Sequence, residues 1–303
     1  MSGRLIEQWA RGAVLAAVMM TIGAAPAAAQ IDLSGEWTVV RAEDNTGNTE
    51  LGDWGGVPMS EAARFRSQAW TASIQTLPEW QCRPHGAMYI TRGPSQLTIT
   101  KDVDPVSREV TAWHFEWLRS VRKPVYMDGR ERPSPNATFT WAGFSLGEWQ
   151  GDVLKFTTTH IKEEYLKRNG VFHSDRASVT NYLVRRGNYL TWTMIEYDPV
   201  YLTEPLVRTT EYQLDLKQQV PPYPCHVVEE VARDRGLIPH HLPGDAAFKD
   251  EVTYFSEKYN IPAEILFSGA ATMYPEIVKT IEALRRTDQT PAAPRPQGGK
   301  KPS

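Results

Sequence analysis

From Gln96 onward the chain alternates apolar and polar residues in short runs broken by turn residues. "SQLTITKD" alternates around Leu97 and Ile99. "SREVTAWHFEWLRS" sets Thr111, Trp113, Phe115 and Trp117 on one face and Val110, Ala112, His114 and Glu116 on the other. Further runs are "ATFTWAGFSLGEW", "VLKFTTTH", "ASVTNYLVRR", "YLTWTMIEY" and "LVRTTEYQLDL". A period of two is the signature of a half-buried strand. Gly151-Asp152 and Gly187-Asn188 sit between such runs as hairpin turns. The pattern predicts at least four consecutive strands in an antiparallel meander, closing into an up-and-down barrel.

Other stretches break the period. "IDLSGEWTVV" (31–40) predicts a first short strand, and "SEAARFRSQAW" a helix opened by Ser60. Lys162 to Asn169 carries helix formers and predicts a helical turn. "DAAFKDEVTYFSEKYN" with Asp245 as N-cap, "IPAEILFSG" and "YPEIVKTIEALRR" predict late helices flanking the sheet. The fold class is therefore mainly β, a single domain over 30–289 with a helical segment from about residue 245.

The two ends read differently. Arg4 and Arg11 precede an uncharged apolar stretch, Gly12 to Ala25, and Ala27-Ala28-Ala29 form a small-residue cleavage pattern. This predicts a signal peptide over 1–29, a mature start at Gln30, and a periplasmic or secreted protein. No later run is long and apolar enough for a helical membrane span. "TPAAPRPQGGKKPS" (290–303) predicts a disordered tail. Export favours a disulfide between the two cysteines, Cys82 and Cys225. A net charge of −3 with no basic stripe argues against nucleic acid as a partner. Ten tryptophans and twelve tyrosines serve core packing, an aromatic-lined pocket, or both.

"DLSGEW" resembles the Gly-x-Trp opening of lipocalin-like barrels, at Gly35 and Trp37. The stretch from "GFSLGEWQGD" through "YDPVYLTEP", then "PYPC", "PHHLPG" and "TMYPE", is similar to exported bacterial proteins of about this length. The resemblance implies a barrel and export, and no particular activity.

Strand parity selects the residues for chemistry. On "VLKFTTTH" the inward set is Leu154, Phe156, Thr158 and His160. On "YLTWTMIEY", Glu196 shares the face of Leu190, Trp192 and Met194. On "LVRTTEYQLDL", Arg208 shares that of Leu206, Tyr212 and Leu214. An ionisable group among apolar neighbours is costly unless paired or near water. One reading is a buried Glu196–Arg208 ion pair with His160 as a hydrogen-bond filler. The other is a functional cup. A second cluster, His173, Ser174, Asp175 and Arg176, lies on the loop before the next strand, where Asp175 would orient His173.

The expected chemistry is cofactor-independent proton transfer, of lyase or isomerase type, on a hydrophobic, aromatic small molecule. His160 or His173 is the base, helped by Asp175 or Glu196. Arg208 or Arg176 faces a developing anion, and Tyr182, Tyr201 and Trp192 help bind the substrate. The alternatives are a non-catalytic lipocalin-like binder of an apolar molecule and a structural domain with a solid core. No phosphate-cradling glycine loop, dinucleotide fingerprint, haem motif or HExxH occurs, so no cofactor is expected. His240-His241 lack a third ligand at telling spacing, so no metal is expected. Oligomeric state stays open, a homodimer being one option.

Overall fold

A computed structural model describes residues 31–40, 54–71, 74–75, 77–86, 88–91, 96–118, 122–217, 219–221, 225–228, 231–234, 256–258, 260–266 and 269–287. The chain divides into two compact units, Met1–Asp32 and Leu33–Ser303, and every element below lies in the second. The signal sequence, His240-His241, the Asp245 cap and the tail from Thr290 lie outside the described residues.

Among the described residues nine strands close a barrel: β1 (Gly35–Val39), β2 (Gln96–Val103), β3 (Val110–Trp117), β4 (Lys123–Tyr126), β5 (Phe144–Gln150), β6 (Val153–Thr159), β9 (Ser178–Arg186), β10 (Tyr189–Tyr197) and β11 (Leu206–Leu214). Their order round the barrel is β1-β11-β10-β9-β6-β5-β4-β3-β2. Every pair is antiparallel except β4–β5, which is parallel with Val125 opposite Ser145. A parallel neighbour needs a crossover, and 127–143 supplies it. The strand in "ATFTWAGFSLGEW" accordingly begins only at Phe144, while Thr140 forms a bridge to Ile161.

The predicted alternation appears as burial. On β6, Leu154, Phe156 and Thr158 are buried between half-buried neighbours, and on β10, Leu190, Trp192, Met194 and Glu196 are. The interior is aromatic: Phe115, Phe156 and Trp192 pack with ring centroids 5.1 to 6.2 Å apart. Trp37 is fully buried, and the Arg185 guanidinium lies 5.2 Å from its ring centroid.

The strand directions define two unlike ends. One end carries tight connections: Asp104–Glu109, Gly151–Asp152 and Gly187–Asn188, with both glycines at φ 61. That left-handed backbone is the one a two-residue hairpin turn favours. The other end, here called the mouth, carries the long connections 160–177 and 198–205, with the starts of β4, β5, β9 and β11 and the ends of β6 and β10.

The residues over the mouth form a cap. It includes α1 (Glu61–Gln68), whose N-cap Ser60 accepts from Ala63 N, and α2 (Pro78–Gln81). It also includes a hairpin of β7 (Glu164–Lys167) with β8 (Val171–His173). The helical turn expected over Lys162 to Asn169 is therefore a strand and a tight turn. Glu164, Tyr165 and Leu166 are all buried, because this hairpin is covered by α1 and α2 rather than half-exposed like a barrel strand. Trp70, Trp80, Tyr165, Phe172, His85 and Tyr89 form a ring cluster that reaches Trp117 of β3. A bridge joins Met59 to Leu202, and the Cys82–Cys225 disulfide ties the cap to the segment after β11.

Of the late helices, α3 (Ala263–Leu266) is one turn and α4 (Pro275–Thr287) is a full helix. No helix among the described residues is long and apolar enough to cross a membrane.

Candidate functional site at the barrel mouth

Three ionisable side chains point into the barrel near the mouth: Glu196, Arg208 and Lys123. Glu196 sits near the end of β10, opposite Val179 of β9 and Leu206 of β11. It is fully buried, and neither carboxylate oxygen has a hydrogen-bond partner. Burial pushes its pKa well above the ordinary carboxyl value, the Asp198 carboxylate adds to that, and Arg208 opposes it. Burial thus favours the neutral carboxyl over the carboxylate. Arg208 lies opposite Met194, one inward position along from Leu206. Parity placed both correctly.

Lys123 is the residue that sequence reading missed. It opens β4 opposite Phe115, with Nζ 5.3 Å from the Phe156 ring centroid. It is 3 % exposed, and Nζ has no hydrogen-bond partner. Burial alone lowers its pKa from 10.5 to about 7. The signal was a lysine at the head of "KPVY", a run of four residues, too short to establish a parity.

Some polar groups on the inner wall are satisfied by one another, while the Tyr212 hydroxyl and Trp113 Nε1 are buried without a hydrogen-bond partner. Asn181 accepts from Trp192 Nε1 at 2.9 Å and donates to Val179 O at 3.1 Å. Ser145 and Thr158 hydroxyls meet at 2.9 Å. Lys123 and Glu196 differ from these in being ionisable as well as buried without a hydrogen-bond partner.

His173 occupies the cap's underside, at the end of β8. It is fully buried, and its Nδ1 donates to Ser174 O at 3.1 Å. That bond fixes the tautomer, so Nε2 carries the lone pair, and Nε2 has no partner. Burial lowers its pKa. The carboxylate near it is Asp198, not Asp175: Ser174 donates to Asp198 through N at 2.6 Å and Oγ at 2.7 Å. Asp198 also accepts from Val200 N and Tyr201 N. It is thus the knot that holds the β8–β9 and β10–β11 connections together, and its charge acts on both His173 and Glu196.

Behind His173, Glu164 pairs with it across the hairpin. Arg83 Nε donates to Glu164 Oε2 at 2.6 Å and Nη2 to Glu163 O at 2.6 Å. Burial outweighs the guanidinium and pushes the Glu164 pKa up to about 7. Gly86 lies against this pair. A Cβ there would stand 2.6 Å from His173 Nε2 and 2.9 Å from Glu164 Cβ. Gly86→Ala is therefore expected to destabilise the fold by about 1–3 kcal/mol, read as a fall in Tm together with a shift of the His173 imidazole resonances.

Four expected site residues lie elsewhere. His160 does not join the inward row: β6 ends at Thr159, and His160 takes φ 55, which turns its ring away. There Nδ1 meets Thr159 Oγ1 and Nε2 meets Ser134 O, both at 2.9 Å, with Phe139 alongside. Asp175 and Arg176 are exposed on the turn after Ser174. Tyr182 is on the outer face of β9, since Asn181 and Leu183 are the buried positions. Of the expected aromatics, Trp192 is inside, and Tyr201 lies under the cap, donating to Glu163 Oε2 at 3.0 Å.

Among the described residues no group of three or more His, Cys, Asp or Glu is arranged to hold a metal ion. Compared with known proteins, the chain matches no family model, no curated protein and no solved structure.

Proposed function

We propose that the protein is an exported enzyme that, without a cofactor, moves protons on a hydrophobic, aromatic small molecule held at the mouth of a lipocalin-like barrel. The observation that carries this reading is that Glu196 and Lys123 are each buried on the inner wall near the mouth with no hydrogen-bond partner. Both point into one aromatic interior. Burial shifts them in opposite directions, favouring the neutral acid at Glu196 and lowering the Lys123 pKa to about 7. Groups pushed in opposite directions by their surroundings are the arrangement acid–base catalysis uses. Glu196 would donate a proton, Lys123 would accept one, and Arg208 would stabilise a developing anion such as a phenolate. Trp192, Phe115 and Phe156 would hold the ring.

Turnover of an identified substrate should rise as pH passes about 7, where Lys123 loses its proton, and fall again where Glu196 ionises. Glu196→Gln keeps the shape and removes the proton, so it should lower kcat by about 10²–10⁴-fold with little change in substrate binding. Equal turnover in Glu196→Gln and the wild type would overturn the assignment.

A second reading is a container that binds an apolar molecule without changing it. The closed cap favours it: Thr91 reaches Met194 Sδ at 3.2 Å and accepts from Thr210 Oγ1 at 3.3 Å, seating the cap on the mouth. Mass spectrometry of a solvent extract, before and after incubation with an aromatic library, separates the two. Retention with no product favours the container.

A further inference from the structure

A lone lysine inside an aromatic barrel is unnecessary for folding, because a methionine would fill the same space without an ammonium to desolvate. Lys123 Nζ is buried and accepts no hydrogen bond, faces the Phe156 ring at 5.3 Å, and lies opposite Phe115 at the mouth. No carboxylate contributes to its state; burial acts alone. This is a nucleophilic nitrogen in an apolar, ring-lined setting. We propose that Lys123 is the attachment point for an apolar aromatic aldehyde, which it holds as a reversible imine.

The step balances without an oxidant or reductant. The Nζ lone pair attacks the carbonyl carbon, and the carbonyl oxygen takes a proton to give a carbinolamine. Loss of that hydroxyl as water, with one nitrogen proton, leaves the C=N bond; hydrolysis reverses it. Attack needs the unprotonated amine. Near pH 7 burial leaves roughly half of Lys123 in that form, whereas an ordinary lysine holds less than about one part in a thousand neutral. Glu196, on the same inner wall and held toward its neutral form by burial, supplies an acid at the mouth for the departing hydroxyl.

The inference rests on the reading that the mouth accepts an apolar aromatic molecule, and the test keeps the two apart. The full-length protein is incubated with cinnamaldehyde and sodium cyanoborohydride, and intact mass and peptide mapping locate the reduced adduct. Cinnamyl alcohol, which lacks the carbonyl, is titrated in parallel by quenching of tryptophan fluorescence. One adduct at Lys123 is expected, formed at least several hundredfold faster than at a surface lysine, the ratio of their neutral fractions near pH 7. Its rate should fall as pH drops below about 7. Lys123→Met and Lys123→Arg should both lose it, and two variants of opposite polarity guard against a folding defect in either. Labelling spread over surface lysines and unchanged in both variants overturns the proposal. So does alcohol binding with no aldehyde trapped, which leaves the apolar-ligand reading intact. Failure of both probes overturns both.

Discussion

Lys123→Met is expected to make the protein more stable, and by an amount that depends on pH. The folded-state pKa of about 7 lies below the ordinary lysine value of 10.5. Between those values the unfolded chain binds a proton that the folded chain has shed. Unfolding then takes up a proton, so wild-type stability rises with pH across that window. Below pH 7 both states are protonated, and the folded state carries the whole cost of an ammonium buried beside Phe156. At about 1.4 kcal/mol per pH unit that cost is on the order of 5 kcal/mol, or about 10–20 °C in Tm for a domain of this size. The methionine variant has no such dependence. Its advantage should be largest at pH 6, shrink from pH 7 upward and vanish near pH 10.5. A series of thermal melts at fixed ionic strength measures it. A variant less stable than the wild type at pH 6 would mean that the ammonium is solvated or paired in the folded protein.

How much of this was legible in the residues depends on what each segment is packed against. Barrel strands have one face on the core and one outside, so Leu154, Phe156 and Thr158, or Leu190, Trp192 and Met194, announce themselves by alternation. The same rule placed Glu196 and Arg208 on the inner wall. It failed where its premise failed. The β7–β8 hairpin is buried on both faces, so Glu164, Tyr165 and Leu166 show no alternation and resemble helix. Parity extrapolated to His160 crosses a left-handed residue that ends the strand, after which inside and outside no longer follow from counting. Lys123 opens a strand of four residues that pairs in parallel with β5, a contact no local pattern encodes. The partner of Ser174 is likewise distant: Asp198 lies across the barrel connections, while the adjacent Asp175 faces solvent.

Arg83→Met is expected to be the most damaging single change under the cap, and its effect should also turn on pH. In the wild type the Glu164 pKa is about 7 against an ordinary 4.5. Between those values the folded chain holds a proton that the unfolded chain has lost, so stability falls as pH rises, and the cost is complete above pH 7. Arg83 limits that cost with its Nε bond to Glu164 at 2.6 Å. It also donates to Glu163 O and stacks on Trp80, 4.0 Å from the ring centroid. Methionine keeps part of the packing and removes the charge. At pH 8 the carboxylate would be buried without its guanidinium, a loss of about 3–5 kcal/mol. At pH 5 Glu164 is already protonated, and the loss reduces to hydrogen bonds and stacking, about 1–2 kcal/mol. Urea denaturation at the two pH values gives the difference directly. In the double variant Arg83→Met/Glu164→Gln the pH 8 penalty should shrink toward the pH 5 value, because no charge is left stranded beside His173. An Arg83→Met penalty equal at both pH values would mean that the pair contributes by packing alone and that Glu164 titrates as a solvated carboxylate.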